Sequence, residues 1–174
     1  MKFFLDSAKI DEIRYARDMW AIDGVTSNPR HIKASGKPFL SAVEDLAALG
    51  REFGDDFAIS VEVNPHHTTA EAMVEEGERI WNMCPSNFVV KLPCIDAGYK
   101  ALQIFGEKDI PCNMTLCFNA VQALQAGRLG ARFISRRRQA FTASGLAFPA
   151  LAQIYFLACK EPGDPRDEST CKCL

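Results

Sequence analysis

Asn87-Phe-Val-Val-Lys-Leu-Pro93 is the stretch on which the reading of this chain turns. Phe88, Val89, Val90 and Leu92 surround a single ionisable residue, Lys91. A short run that is apolar at both odd and even positions is a strand buried on both faces, as parallel strands are. Lysine is almost never fully buried unless it is paired or functional. An edge strand turning Lys91 to solvent is the bland alternative, but the valines before it and the leucine after it argue against an exposed edge. Burial disfavours an ammonium ion, and a neutral amine attacks a carbonyl to form a Schiff base. A carboxylate in the same site then moves protons, directly or through a water. Asp6 and Glu62 are the carboxylates available for that task.

Similar apolar runs recur on both sides of this one. Lys2–Leu5, Gly24–Thr26, Ala58–Val63, Pro111–Leu116 and Ala131–Ile134 each read as a strand. Helical spacing fills the intervals, with apolar residues mostly three or four apart in Lys9–Trp20, Phe39–Leu49 and Thr69–Trp81, and further helices near Gly98–Phe105 and Asn119–Gly127. Asn119 is a capping-type residue at the head of the last of these, and Gly127 closes it. Six strands alternating with helices predict an α/β fold with a parallel sheet. An open doubly wound sheet and a (β/α)8 barrel both satisfy this pattern.

The rhythm stops after Ser135. Residues 136–174 carry six basic and four acidic side chains, against fourteen and eighteen in residues 1–135. The final stretch, KEPGDPRDESTCKCL, reads as disordered. The division expected is therefore 1–135 as the (β/α) portion and 136–174 as an atypical tail.

At 174 residues the chain is long enough for one domain with a sizeable core. A net charge of −2 supplies no basic field for nucleic acid or an anionic membrane. The run Arg136–Arg138 is too short to change that reading. No apolar run is long enough to span a bilayer. Charges at Lys2, Asp6 and Lys9 are unlike a signal peptide, so the expected setting is cytoplasmic. The seven cysteines form no C-x-x-C pair and the three histidines stand at 31, 66 and 67. Reduced, mostly buried thiols are expected, with neither a disulfide framework nor a metal site.

Position, more than composition, points to function. The first run ends at Asp6, the second in Thr26-Ser27-Asn28, the third holds Glu62, the fourth Lys91, the fifth Asn113 and Thr115, and the sixth ends at Ser135. In a parallel barrel such strand ends share one face, where active sites are built. Residues two apart on a strand point the same way, so Asn113 and Thr115 share a side.

Five motifs, in order, carry a family resemblance: MKFFLDSAKIDEI, DGVTSNP, SVEV, NFVVKLP and NMTLCF. Over residues 1–135 the chain resembles the short transaldolases and the fructose-6-phosphate aldolases. The resemblance implies a (β/α)8 TIM barrel, class I aldol chemistry, no cofactor and a sugar-phosphate substrate. It implies Lys91 as the Schiff-base lysine and Asp6 as the carboxylate moving protons at the donor hydroxyl. Glu62 would hold a catalytic water with Thr115 as its partner. Thr26, Asn28 and Asn113 would serve the donor hydroxyls, and Ser135 would line the sixth strand end. The aldolase branch usually has Gln at the Glu62 position, which leans the resemblance towards transaldolase.

Departures from the family pattern are equally specific. Ser27 stands for Thr and Arg30 for Ser. Ala140 stands where the family has a phosphate-binding Arg, and Arg137 where it has an active-site aromatic. The expectation is thus a barrel of this type carried through six strands, with two open edges. Its activity would be transfer or release of a dihydroxyacetone unit from a ketose phosphate such as fructose 6-phosphate. A catalytically impaired member acting as a binding or assembly subunit is the alternative, and a homo-oligomer is compatible with either.

Overall fold

The computed structural model describes residues 2–136 and 156–157, with side chains through Ser135. Expectations for the rest of the tail, including Arg137, Ala140 and the closing polar stretch, fall outside the described residues.

The six expected strands are β1 (Phe4–Asp6), β2 (Gly24–Thr26), β3 (Ala58–Glu62), β4 (Phe88–Pro93), β5 (Cys112–Cys117) and β6 (Phe133–Arg136). Between them run α1 (Ile10–Trp20), α2 (Pro29–Ala34), α3 (Phe39–Phe53), α4 (Ala70–Met83), α5 (Asp96–Glu107) and α6 (Ala120–Arg128). Each strand pairs in parallel with the next in chain order. That order selects the barrel, because a doubly wound sheet reverses direction at a switch point and this one does not.

Curvature is visible in the side chains. Phe4 of β1 and Phe133 of β6 stand at opposite ends of the parallel order, yet their rings meet edge to face with centroids 5.1 Å apart. The sheet has curled until its first and sixth strands face each other across an interior. Gly24 makes room for this contact, since a Cβ there would lie 2.4 Å from Phe4 Cε1 and 2.4 Å from the Ala58 carbonyl oxygen.

Alternation along the strands splits the buried residues into two cores. Val25, Ile59, Val61, Val90, Leu92 and Met114 join the layer that packs with the helices, where Ile13, Leu46, Met73, Leu102 and Phe105 are also buried. Phe4, Ala58, Val89 and Phe133 form a separate small cluster inside the curl.

Three features differ from expectation. Helix α2 is extra. Asn28 caps it by accepting from the His31 N–H at 3.0 Å, and Pro29 occupies its first turn. Six residues are too few to show periodicity in the sequence. The sixth strand begins at Phe133 rather than Ala131, after a left-handed Gly130 (φ 89°). Nor is the outer edge of β6 open: β7 (Phe156–Leu157) pairs with it antiparallel, Phe133 opposite Leu157. Asn119 does cap α6, in a reciprocal capping box with Gln122.

Candidate active site

On β3, β4, β5 and β6 the interior changes character within one step of two residues. Ala58 gives way to Ser60 and Glu62, Val89 to Lys91, and Phe133 to Ser135, while Asn113 lies beside Lys91 in register. The polar members form a buried layer above the apolar one, at the C-terminal ends of the strands. Ser60 and Asn113 are fully buried, and Lys91 is only 4% exposed.

Lys91 has two neighbours of opposite kind. Its Nζ donates to the Ser27 carbonyl oxygen at 3.0 Å and lies 3.5 Å from Glu62 Oε2. Parallel register sets up the second contact, because Glu62 and Lys91 are partners across β3 and β4. Burial pushes the Glu62 carboxyl above its ordinary value. The Lys91 charge opposes that rise, and the Asp6 charge adds to it.

Asp6 anchors a second group. Its Oδ1 accepts from Thr26 Oγ1 at 2.9 Å, across the β1–β2 register, and lies 3.1 Å from His31 Nδ1. Asn113 is the hub of a third. Its Nδ2 donates to Ser60 Oγ at 3.0 Å, and its Oδ1 accepts from Ser135 Oγ at 2.9 Å. One amide thus ties β3, β5 and β6 together through buried hydrogen bonds.

Of the residues singled out in the sequence, Lys91 and Glu62 meet directly, Asp6 and Thr26 meet directly, and Asn113 and Ser135 meet directly. Thr115 is buried beside Pro93 on β5, where its carbonyl oxygen accepts from the Cys94 N–H at 2.8 Å. Just beyond it the β5–β6 register slips and Leu116 takes a left-handed φ of 58°. Such irregularities re-aim a strand end next to functional sites. Asn28 Oδ1 accepts the His31 backbone N–H in the helix cap, and its Nδ2 lies 3.2 Å from His31 Nδ1.

Sequence reasoning missed two residues in this layer. Ser60 stands two before Glu62 on one strand, and the same-side rule applied to β3 would have found it. His31 stands three after Asn28, and a short helix following the second strand would have brought it to Asp6.

A curled parallel sheet with a buried lysine and two carboxylates at its C-terminal strand ends defines a (β/α)-barrel class with a lysine-centred site. Residues 3–136 match the Transaldolase/Fructose-6-phosphate aldolase family, and the chain belongs to it. It is 53% identical over 135 residues to proteins named 6-deoxy-6-sulfo-D-fructose transaldolase from Priestia aryabhattai and Priestia megaterium. It is 43% identical over 135 residues to a probable transaldolase of Dictyoglomus turgidum. Each match covers 78% of this chain and 59% of the relative, so the matched region spans a little over half of those proteins. Among the described residues no helix is long and apolar enough to cross a membrane.

Proposed function

We propose that this chain performs class I aldol chemistry, with Lys91 as the amine that captures the C2 carbonyl of a ketose. The observation that carries the reading is the seat of Lys91: a nearly buried amino group 3.5 Å from Glu62 and 3.0 Å from a backbone carbonyl oxygen, among strand-end polar groups. Loss of water converts the captured carbonyl into an iminium, which acts as the electron sink. When the C3–C4 bond breaks, its electrons flow into that iminium to give an enamine. The C4 hydroxyl proton passes to Asp6 as C4 becomes an aldehyde. Glu62, with its raised pKa, exchanges protons with a water shared with Thr115 during imine formation and hydrolysis. Thr26, Asn113, Ser135 and the Nδ2 of Asn28 hold the hydroxyls of the retained three-carbon unit.

The substrate proposed is a ketose with an anionic group on C6. Fructose 6-phosphate is one such sugar, and the 6-sulfonated sugar in the names of the 53%-identical relatives is another. In both, the dihydroxyacetone unit is the same and only the departing aldehyde differs. The buried free thiols of Cys84, Cys94, Cys112 and Cys117 suit a reducing, cytoplasmic setting.

The test is to supply each ketose with an acceptor aldehyde and follow release of the three-carbon aldehyde that carries the anion. Release with transfer of the dihydroxyacetone unit is expected for at least one of the two. Release from neither would reject the reading.

A further inference from the structure

His31 has no part in the chemistry above, yet it touches the residue assigned to move the proton. Its Nδ1 lies 3.1 Å from Asp6 Oδ1 and 3.2 Å from Asn28 Nδ2. The orientation of Asn28 is fixed, because its Oδ1 accepts the His31 backbone N–H at 3.0 Å. An amide NH2 only donates, so Nδ1 faces a donor on one side and a carboxylate on the other. With a proton on Nδ1 the ring donates to Asp6. Without one it accepts from Asn28 and turns a lone pair towards the Asp6 oxygen. An ionised Asp6 favours the first state. Thr26 Oγ1 holds that same oxygen at 2.9 Å.

Resting on the aldol reading above, we propose that His31 is a positioning residue for Asp6. Its Nδ1–H fixes Oδ1 together with Thr26 and leaves Oδ2 to accept the C4 hydroxyl proton. The proton lost from C4–OH then resides on Asp6 Oδ2 and returns to the alkoxide oxygen when the enamine attacks the acceptor aldehyde. No proton is gained or lost by His31 in that cycle.

The charged surroundings of the ring come from several elements. Asp6 faces it from β1, and Glu12 of α1, its carboxyl held below the ordinary value chiefly by hydrogen bonds from Lys9 and Ser7, also feels His31 weakly. Lys9 pairs with Glu12 at 2.9 Å, and the Glu62–Lys91 pair lies beyond Asp6, whose charge Glu62 feels. Arg30 precedes His31 in α2.

Two variants separate the role from simple packing. His31→Gln keeps an amide donor, and His31→Leu removes the donor. In the full chain, with the better ketose, His31→Gln should keep kcat near wild type because a side-chain donor to Asp6 remains. His31→Leu should lower kcat about tenfold, the size of one hydrogen bond to a charged group, with KM little changed. Borohydride trapping on Lys91 should be unaffected in both. The tautomer supplies a readout independent of turnover. Nitrogen-15 NMR should find neutral His31 protonated on Nδ1 in wild type, and on Nε2 in Asp6→Ala, where Asn28 becomes the partner. An unchanged kcat in both variants would overturn the proposal. If wild type traps no imine, the aldol reading fails, and the tautomer still decides for His31: a ring protonated on Nε2 in wild type would remove it from the service of Asp6.

Discussion

Two layers share the same strands two residues apart and behave as opposites. Phe4, Ala58, Val89 and Phe133 fill the lower interior with apolar surface, whereas Ser60, Lys91, Asn113 and Ser135 line the upper one. Both are buried. The lower layer lowers the free energy of the fold by removing hydrocarbon from water. The upper one desolvates a lysine and a carboxylate, which is costly unless they are paired. A barrel interior can thus be built to stabilise at one end and to hold reactive groups at the other. Register alone does not draw the division, since Ser60 lies opposite Val89 and Asn113 opposite Phe133; the alternation along each strand and the hydrogen bonds of Asn113 do.

The largest expected effect on stability comes from the lower layer. Phe133→Ala removes a ring that is 2% exposed and in contact with Phe4. It should lower unfolding stability by about 3–5 kcal/mol in a denaturant titration, while imine formation per folded molecule stays close to wild type. Equal loss of both would mean that the layers are not separable.

Asn113→Ala should give the reverse balance. It strips Ser60 and Ser135 of their shared partner, a cost of about 1–3 kcal/mol, smaller than that at Phe133. Turnover should fall further than for Phe133→Ala, measured as ketose cleavage per folded molecule.

The smallest effect should appear in the pH dependence of stability. Glu62 has its carboxyl raised in the folded chain, chiefly by burial. Between its ordinary value and the raised one, the folded state holds more protons than the unfolded state. Stability from this group is therefore complete at low pH and declines as pH rises through the folded value. Glu62→Gln removes that decline, so the variant should gain on wild type as pH increases from about 4.5. Parallel curves for the two proteins would show that Glu62 does not titrate as described.

How far the sequence announced this arrangement differs residue by residue. Lys91 was legible because a charge in an all-apolar strand is chemically out of place. Asp6, Glu62, Asn113 and Ser135 were legible as strand ends once the βα rhythm was recognised. Ser60 was hidden because a lone serine in an apolar run carries no signal until the inward face of the strand is known. His31 was hidden for another reason: it reaches Asp6 only through α2, whose six residues are too short to show a period. The contact of Phe4 with Phe133 spans the whole parallel sheet, and no local pattern encodes it. Strand β7 pairs antiparallel at a distance of more than twenty residues from β6, outside the alternation that revealed the other strands.

The central claim is that Lys91 is the amine that captures the ketose. Wild type and Lys91→Met, each incubated with fructose 6-phosphate or its 6-sulfonated counterpart and reduced with borohydride, give the direct test by peptide mass mapping. Methionine is flexible and apolar enough to occupy the same space, and Glu62, whose carboxyl burial already raises, can take up a proton once its cation is gone. A reduced sugar adduct is expected on the peptide containing Lys91 in wild type, and no adduct in the variant. An adduct on another lysine, or one retained by Lys91→Met, would contradict it.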